Sequence, residues 1–175
     1  MIANFFVKIF PYIFVISFVY LEFSPVYFYE NELVKPFISF LIIYSWICHD
    51  TNRFRPVWLL AFGLFYDFLK DGIVGITPLF FITLYHLQQK KSNSLVSFDF
   101  KETWIKFIIY LLMYFVIIYL CNYFFENHSY NFKKNILCLV LTIVLFPLFF
   151  SLIEKLTVRF GTVSYTHLTL PTRLM

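Results

Sequence analysis

Charge is scarce in this chain. Asp, Glu, Lys and Arg make up 14% of its 175 residues, where a soluble domain carries about 25%. The net charge of +4 is too modest to imply a nucleic-acid partner. Glycine is rarer still, at four residues. The three cysteines, Cys48, Cys121 and Cys138, form no CxxC pair and share no metal-ligand spacing with histidine. Each lies in or at the edge of an apolar run, which suits a buried free thiol. His49, His86 and His128 are scattered, with no HExxH. No Walker loop or dinucleotide fingerprint occurs. Ser45, Ser94 and Ser97 have no nearby base. These absences argue against a metal site, a cofactor site and a catalytic constellation.

Apolar residues are abundant instead. They make up 61% of the chain, with a mean hydropathy of +0.76, above the roughly 45–50% of soluble domains. A soluble core could not bury this much Phe, Ile and Leu in so short a chain. The expected class is an all-α polytopic membrane protein, with the lipid bilayer as its solvent.

The stretch Val163–Ser164–Tyr165–Thr166–His167–Leu168–Thr169–Leu170–Pro171–Thr172 resembles nothing before it. It matches one reading frame of a common transposase-type sequencing adapter. Residues 163–175 are therefore expected to be a non-native tail, and residues 1–162 a single six-helix membrane domain.

A spanning helix needs about 20 apolar residues. Phe5–Phe23 meets that, with Pro11 absorbed early. No small-residue cleavage site follows it, so it reads as a retained helix. Pro36 suits the first turn of a second helix running to about Cys48, with Tyr44 and Trp46 placed for an interfacial aromatic belt. Pro56–Leu69 and Pro78–Gln89 are short helices. They are either short spans or the arms of a re-entrant hairpin. Asp99 and Glu102 resemble a capping box before a fifth helix, Trp104–Phe124. Asn135–Ile153 is the sixth, with Pro147 as an expected kink.

Orientation follows the Lys and Arg placement. With the N-terminus inside and six spans, inner segments hold Lys8, Arg53, Arg55, Lys90, Lys91, Lys101, Lys106, Lys155 and Arg159. Outer segments hold Lys35, Lys70, Lys133 and Lys134. The imbalance favours a cytoplasmic N-terminus.

The residues from Gly63 to Pro78 interrupt the apolar pattern. Thr77–Pro78 reads as a helix start, with a hydroxyl cap and proline in the first turn. The segment between the helices carries Ile73, Val74 and Ile76, too apolar for a water-exposed loop. Non-helical backbone at membrane depth survives only where protein or a wet cavity satisfies it. Gly63 and Asp67 share a helix face, and a glycine there admits another helix at close range. Asp67 is an ionisable group near a span, and so a candidate functional residue; the alternative is a solvated rim with Lys70 and Asp71. Asp67 and Asp71 form an i,i+4 carboxylate pair, but no His, Ser or Cys accompanies them for acid–base work.

The pattern Gly63–Leu64, Asp67, Gly72 and Gly75, followed by Pro78, resembles the characteristic stretch of the MreD family of bacterial rod shape-determining membrane proteins. The resemblance implies a non-enzymatic inner-membrane subunit of the cell-elongation complex. It would associate with MreC, and through it with the actin-like MreB filament and the enzymes of peptidoglycan synthesis. Gly63, Asp67, Gly72, Gly75 and Pro78 would then be a partner-helix packing or structural motif. A different class fits the same size: the substrate-capturing membrane subunit of an energy-coupling-factor vitamin transporter, with the broken segment lining a ligand cavity.

Overall fold

The computed structural model describes residues 2–24, 35–51, 54–70, 73–92, 99–125 and 132–165. Those residues form six helices and no strand. In chain order they are α1 (Ile2–Phe23), α2 (Ile38–His49), α3 (Pro56–Lys70), α4 (Ile76–Ser92), α5 (Phe100–Phe125) and α6 (Phe132–Tyr165). Two are long and apolar enough to cross a membrane: α5 over Phe100–Phe124 and α6 over Asn135–Val158. The apolar parts of α1 and α2, Ile9–Phe23 and Ile38–His49, are shorter. At 1.5 Å per residue, α3 is about 22 Å long and α4 about 26 Å, each short of the roughly 30 Å hydrocarbon layer.

The bundle is organised around α2. All ten residues from Ser39 to Cys48 are buried, because α1, α4 and α6 pack against it from different sides. A helix apolar on every face is a helix enclosed on every face. Tyr44 and Trp46, each 1% exposed, therefore belong to the centre of the molecule and not to an interfacial belt. Periodicity could not separate these alternatives, since α2 has no polar face to orient it. Phe40 makes ring contacts with Tyr66, Phe81 and Tyr114, at centroid separations of 5.6, 5.0 and 4.4 Å. Phe107 stacks on Phe146 at 4.4 Å. Aromatic pairs in these offset and edge geometries add to the packing of the core.

Helices α1, α5 and α6 begin three to four residues before the expected Phe5, Trp104 and Asn135, and the starts of α2 and α4 differ as well. Pro36 lies ahead of α2 and not in its first turn. Its carbonyl accepts the Ile38 N–H at 2.9 Å, while the Phe37 N–H donates to Thr142 Oγ1 on α6, also at 2.9 Å. Helix α4 begins at Ile76, two residues before Pro78. By contrast, Asp99 does cap α5: its Oδ1 accepts the Lys101 N–H at 3.1 Å. Glu102 forms an ion pair one turn along with Lys106 at 2.6 Å. Both α1 and α6 continue through their internal prolines, Pro11 and Pro147, and α6 extends past the expected end at Ile153.

Candidate functional site

The break between α3 and α4 is held by a carboxylate. Asp67, on the last turn of α3, is 4% exposed. Its Oδ2 accepts the N–H of Gly75 at 2.8 Å and that of Thr77 at 3.3 Å. The first turn of any helix leaves N–H groups without intrahelical partners. Asp67 takes two of them, and Pro78 has no N–H to place. The negative side chain also faces the positive end of the α4 dipole. So α4 is capped by the preceding helix. The Thr77 hydroxyl, expected as the cap, lies 2.8 Å from the Tyr114 hydroxyl of α5.

Two glycines make this geometry possible for different reasons. Gly75 has φ of +109°, a backbone state that side chains disfavour. A Cβ built there would meet nothing within 4 Å, so the requirement is conformational and not spatial. Gly63 is the reverse. A Cβ there would stand 2.4 Å from both Cα and N of Pro78. The helix that approaches Gly63 is thus α4 of the same chain, which leaves no room on that spot for a partner helix. Gly63, Asp67, Gly75 and Pro78 form one clamp across the α3–α4 contact. Gly72 and Asp71 lie outside the described residues.

A second carboxylate, not singled out from the sequence, repeats the device. Glu22 sits on the last turn of α1 and is 8% exposed. Its Oε2 accepts the Ser39 N–H at 2.9 Å and the Ser39 hydroxyl at 2.6 Å. Its Oε1 accepts the Tyr66 hydroxyl at 2.9 Å. In both hairpins an acid ending the first helix caps the start of the second. The available signal was an acid inside the apolar run of α1, where an unpaired carboxylate would be costly. Its partner Ser39 is too distant in sequence for any local motif to name.

Lys70, on the last turn of α3, packs over three aromatic rings near these groups. Its ammonium stands 5.7 Å from the Phe37 ring, 5.8 Å from Tyr66 and 5.7 Å from Tyr114, within cation–π range. Glu22 and Asp67 act on it electrostatically. Lys70 is half-buried and lies at the edge of this polar cluster. The cluster ties together α1, α2, α3, α4 and α5.

The depth of this cluster follows from the long helices. Tyr114, which meets Thr77, is near the middle of α5. Thr142, which meets Phe37, is well inside α6. Beyond these levels α5 runs on for about 16 Å and α6 for about 15 Å. The starts of α2 and α4 thus lie partway along the two longest helices, not at their ends.

Chemically, the arrangement positions helices. Its carboxylates are engaged by backbone and hydroxyl donors. Among the described residues no group of three or more His, Cys, Asp or Glu is placed to hold a metal. Cys48 and Cys138 are buried and Cys121 is half-buried, and none of the three is in a disulfide.

No curated protein and no solved structure matches the chain. The family model described as rod shape-determining protein MreD does match, over residues 1–156. That span contains all of α1 to α5, most of α6, and the capped break with its glycines. The chain belongs to the MreD family of rod shape-determining membrane proteins.

Proposed function

We propose that this protein is a multi-pass subunit of the bacterial inner membrane, with its N-terminus in the cytoplasm. It serves the cell-elongation complex without catalysing a reaction. It associates with an MreC-type protein and through it supports the organisation of peptidoglycan synthesis by MreB and the wall enzymes. The observation that carries this reading is the family match over residues 1–156. The way the interior polar groups are used agrees with it. Glu22, Asp67, Ser39, Thr77, Tyr66 and Tyr114 hydrogen-bond one another or the backbone, which stiffens a frame and leaves the outer faces to partners. Residues 1–162 act as one membrane domain, with residues 163–175 a non-native addition. The vitamin-capturing alternative finds no support in the family match.

The test is co-purification from membranes with the MreC-type protein, alongside restoration of rod shape in cells lacking this subunit. Retention of the partner and recovery of rods are expected. A monodisperse protein that retains no such partner would refute the association. Gly63→Leu is expected to abolish both readouts through collapse of the α3–α4 contact.

A further inference from the structure

A cavity of about 430 Å³ opens at the other end of the bundle from the break. It lies between the C-terminal end of α2, the start of α5 and the middle of α6. Its lining includes His49, Phe100, Pro147, Phe150, Ser151 and Glu154. The polar side chains there share one property. The His49 Nδ1 is 3.0 Å from the Ser45 carbonyl; a carbonyl only accepts, so Nδ1 carries the proton and neutral His49 offers Nε2 as an acceptor. The Ser151 hydroxyl donates to the Leu148 carbonyl at 3.0 Å, which leaves its lone pairs. Glu154 is exposed, and its carboxylate has only acceptor sites when ionised.

Exposed Lys101 and Lys155 adjoin Phe100 and Glu154, but neither lines the cavity. The rings of Phe100 and Phe150, 5.5 Å apart, present electron-rich faces. The C-terminal end of α2 contributes its partial negative charge. A site built of acceptors, aromatic faces and one carboxylate calls for a donor-rich cation with an apolar stem. Arginine and lysine side chains have that chemistry.

We infer that this cavity receives an arginine or lysine side chain from the inner-flank segment of a single-pass membrane partner. The inference rests on the partner-holding reading and on the cytoplasmic placement of this end. Charge complementarity selects the occupant. Segments flanking a membrane span on the cytoplasmic side are enriched in Lys and Arg, so a partner helix lying against α5 or α6 brings such a residue to this depth.

The experiment co-expresses the full chain with the MreC-type protein and measures how much partner is retained in nanodiscs. Glu154→Lys is expected to lower retention at least tenfold, in the range seen when one member of an interfacial charge pair is lost. Pairing Glu154→Lys with a Lys or Arg→Glu change in the partner's inner flank is expected to restore it. Ser151→Trp, which fills the mouth without changing charge, is expected to lower retention as well. Should Glu154→Lys lose its sharp gel-filtration peak, Glu154→Gln and Ser151→Trp decide the matter. Unchanged retention in Glu154→Lys, or in both of those variants, overturns the cavity assignment while leaving the partner reading intact. Loss of the partner from the unaltered protein overturns both.

Discussion

Replacing Gly63 with alanine adds a single methyl group, and the structure says where it goes. The new Cβ would lie 2.4 Å from Pro78 Cα, 2.4 Å from Pro78 N and 2.8 Å from Pro78 Cβ. Two of those atoms are backbone, so no rotamer change relieves the contact. Either α3 and α4 separate by about 1 Å or the start of α4 shifts away from Asp67. The first loses packing along the contact. The second lengthens the hydrogen bonds to Gly75 and Thr77. Overpacking a close-packed site costs about 1–3 kcal/mol, and a clash with backbone belongs near the upper end. At about 1.4 kcal/mol per tenfold, a 3 kcal/mol loss shifts the folding equilibrium by more than a hundredfold. The assay is thermal unfolding in a mild detergent, followed by size-exclusion fluorescence. Gly63→Ala should melt well below the parent. Trimming the proline should not rescue it, because Pro78→Ala leaves Cα and N in place. A Gly63→Ala protein with the parent's melting temperature, or full rescue by Pro78→Ala, would refute the clamp.

Other perturbations separate the remaining parts of the design. Gly75→Ala meets no steric obstacle but must adopt an unfavourable φ; a loss of about 1–3 kcal/mol is expected, with Asp67 still in place. Asp67→Ala removes the cap of α4 and strands two N–H groups, for a loss of about 2 kcal/mol; Asp67→Asn, which keeps an acceptor oxygen, should recover part of it in the same melting assay. Glu22→Ala leaves Ser39 and Tyr66 without their acceptor and should cost about 2–3 kcal/mol, read as lost thermal stability. Its effect should be less than additive with Tyr66→Phe in a double-mutant cycle. A cysteine at Val74, in a background without the native three, tests the depth of the break. A membrane-impermeant maleimide should label it far more slowly than a cysteine placed outside the apolar helices. Equal rates would put the break at the aqueous surface.

Much of this architecture is legible in the chain because membrane helices announce themselves by apolar length. The six helices and the cap at Asp99 follow from local pattern, and so does the position of the break. Three of the four glycines, Gly63, Gly72 and Gly75, fall close together, which marks the break on composition alone. What the break does was harder to read. Thr77–Pro78 fits a local cap, yet the acceptor comes from Asp67 across the turn, and the Thr77 hydroxyl faces Tyr114. Sequence spacing gives no distance between Asp67 and the start of α4 until the turn conformation is known. Glu22 escaped notice for a similar reason, since Ser39 and Tyr66 reach it only through tertiary folding. Tyr44 and Trp46 misled because an aromatic pair at a helix end satisfies a belt and a core equally well.

The enclosure of α2 has a consequence for biosynthesis. Twelve residues, about 18 Å of helix, cannot cross a bilayer unaided, and its first free N–H groups await Glu22 and Thr142. One of those acceptors, Thr142 on α6, lies 105 residues later in the chain. An early-translated segment therefore finds its final surroundings only after a much later helix has been made. Truncation before α6 should leave a nascent product recognised by quality-control proteases, even though five of its helices are already made.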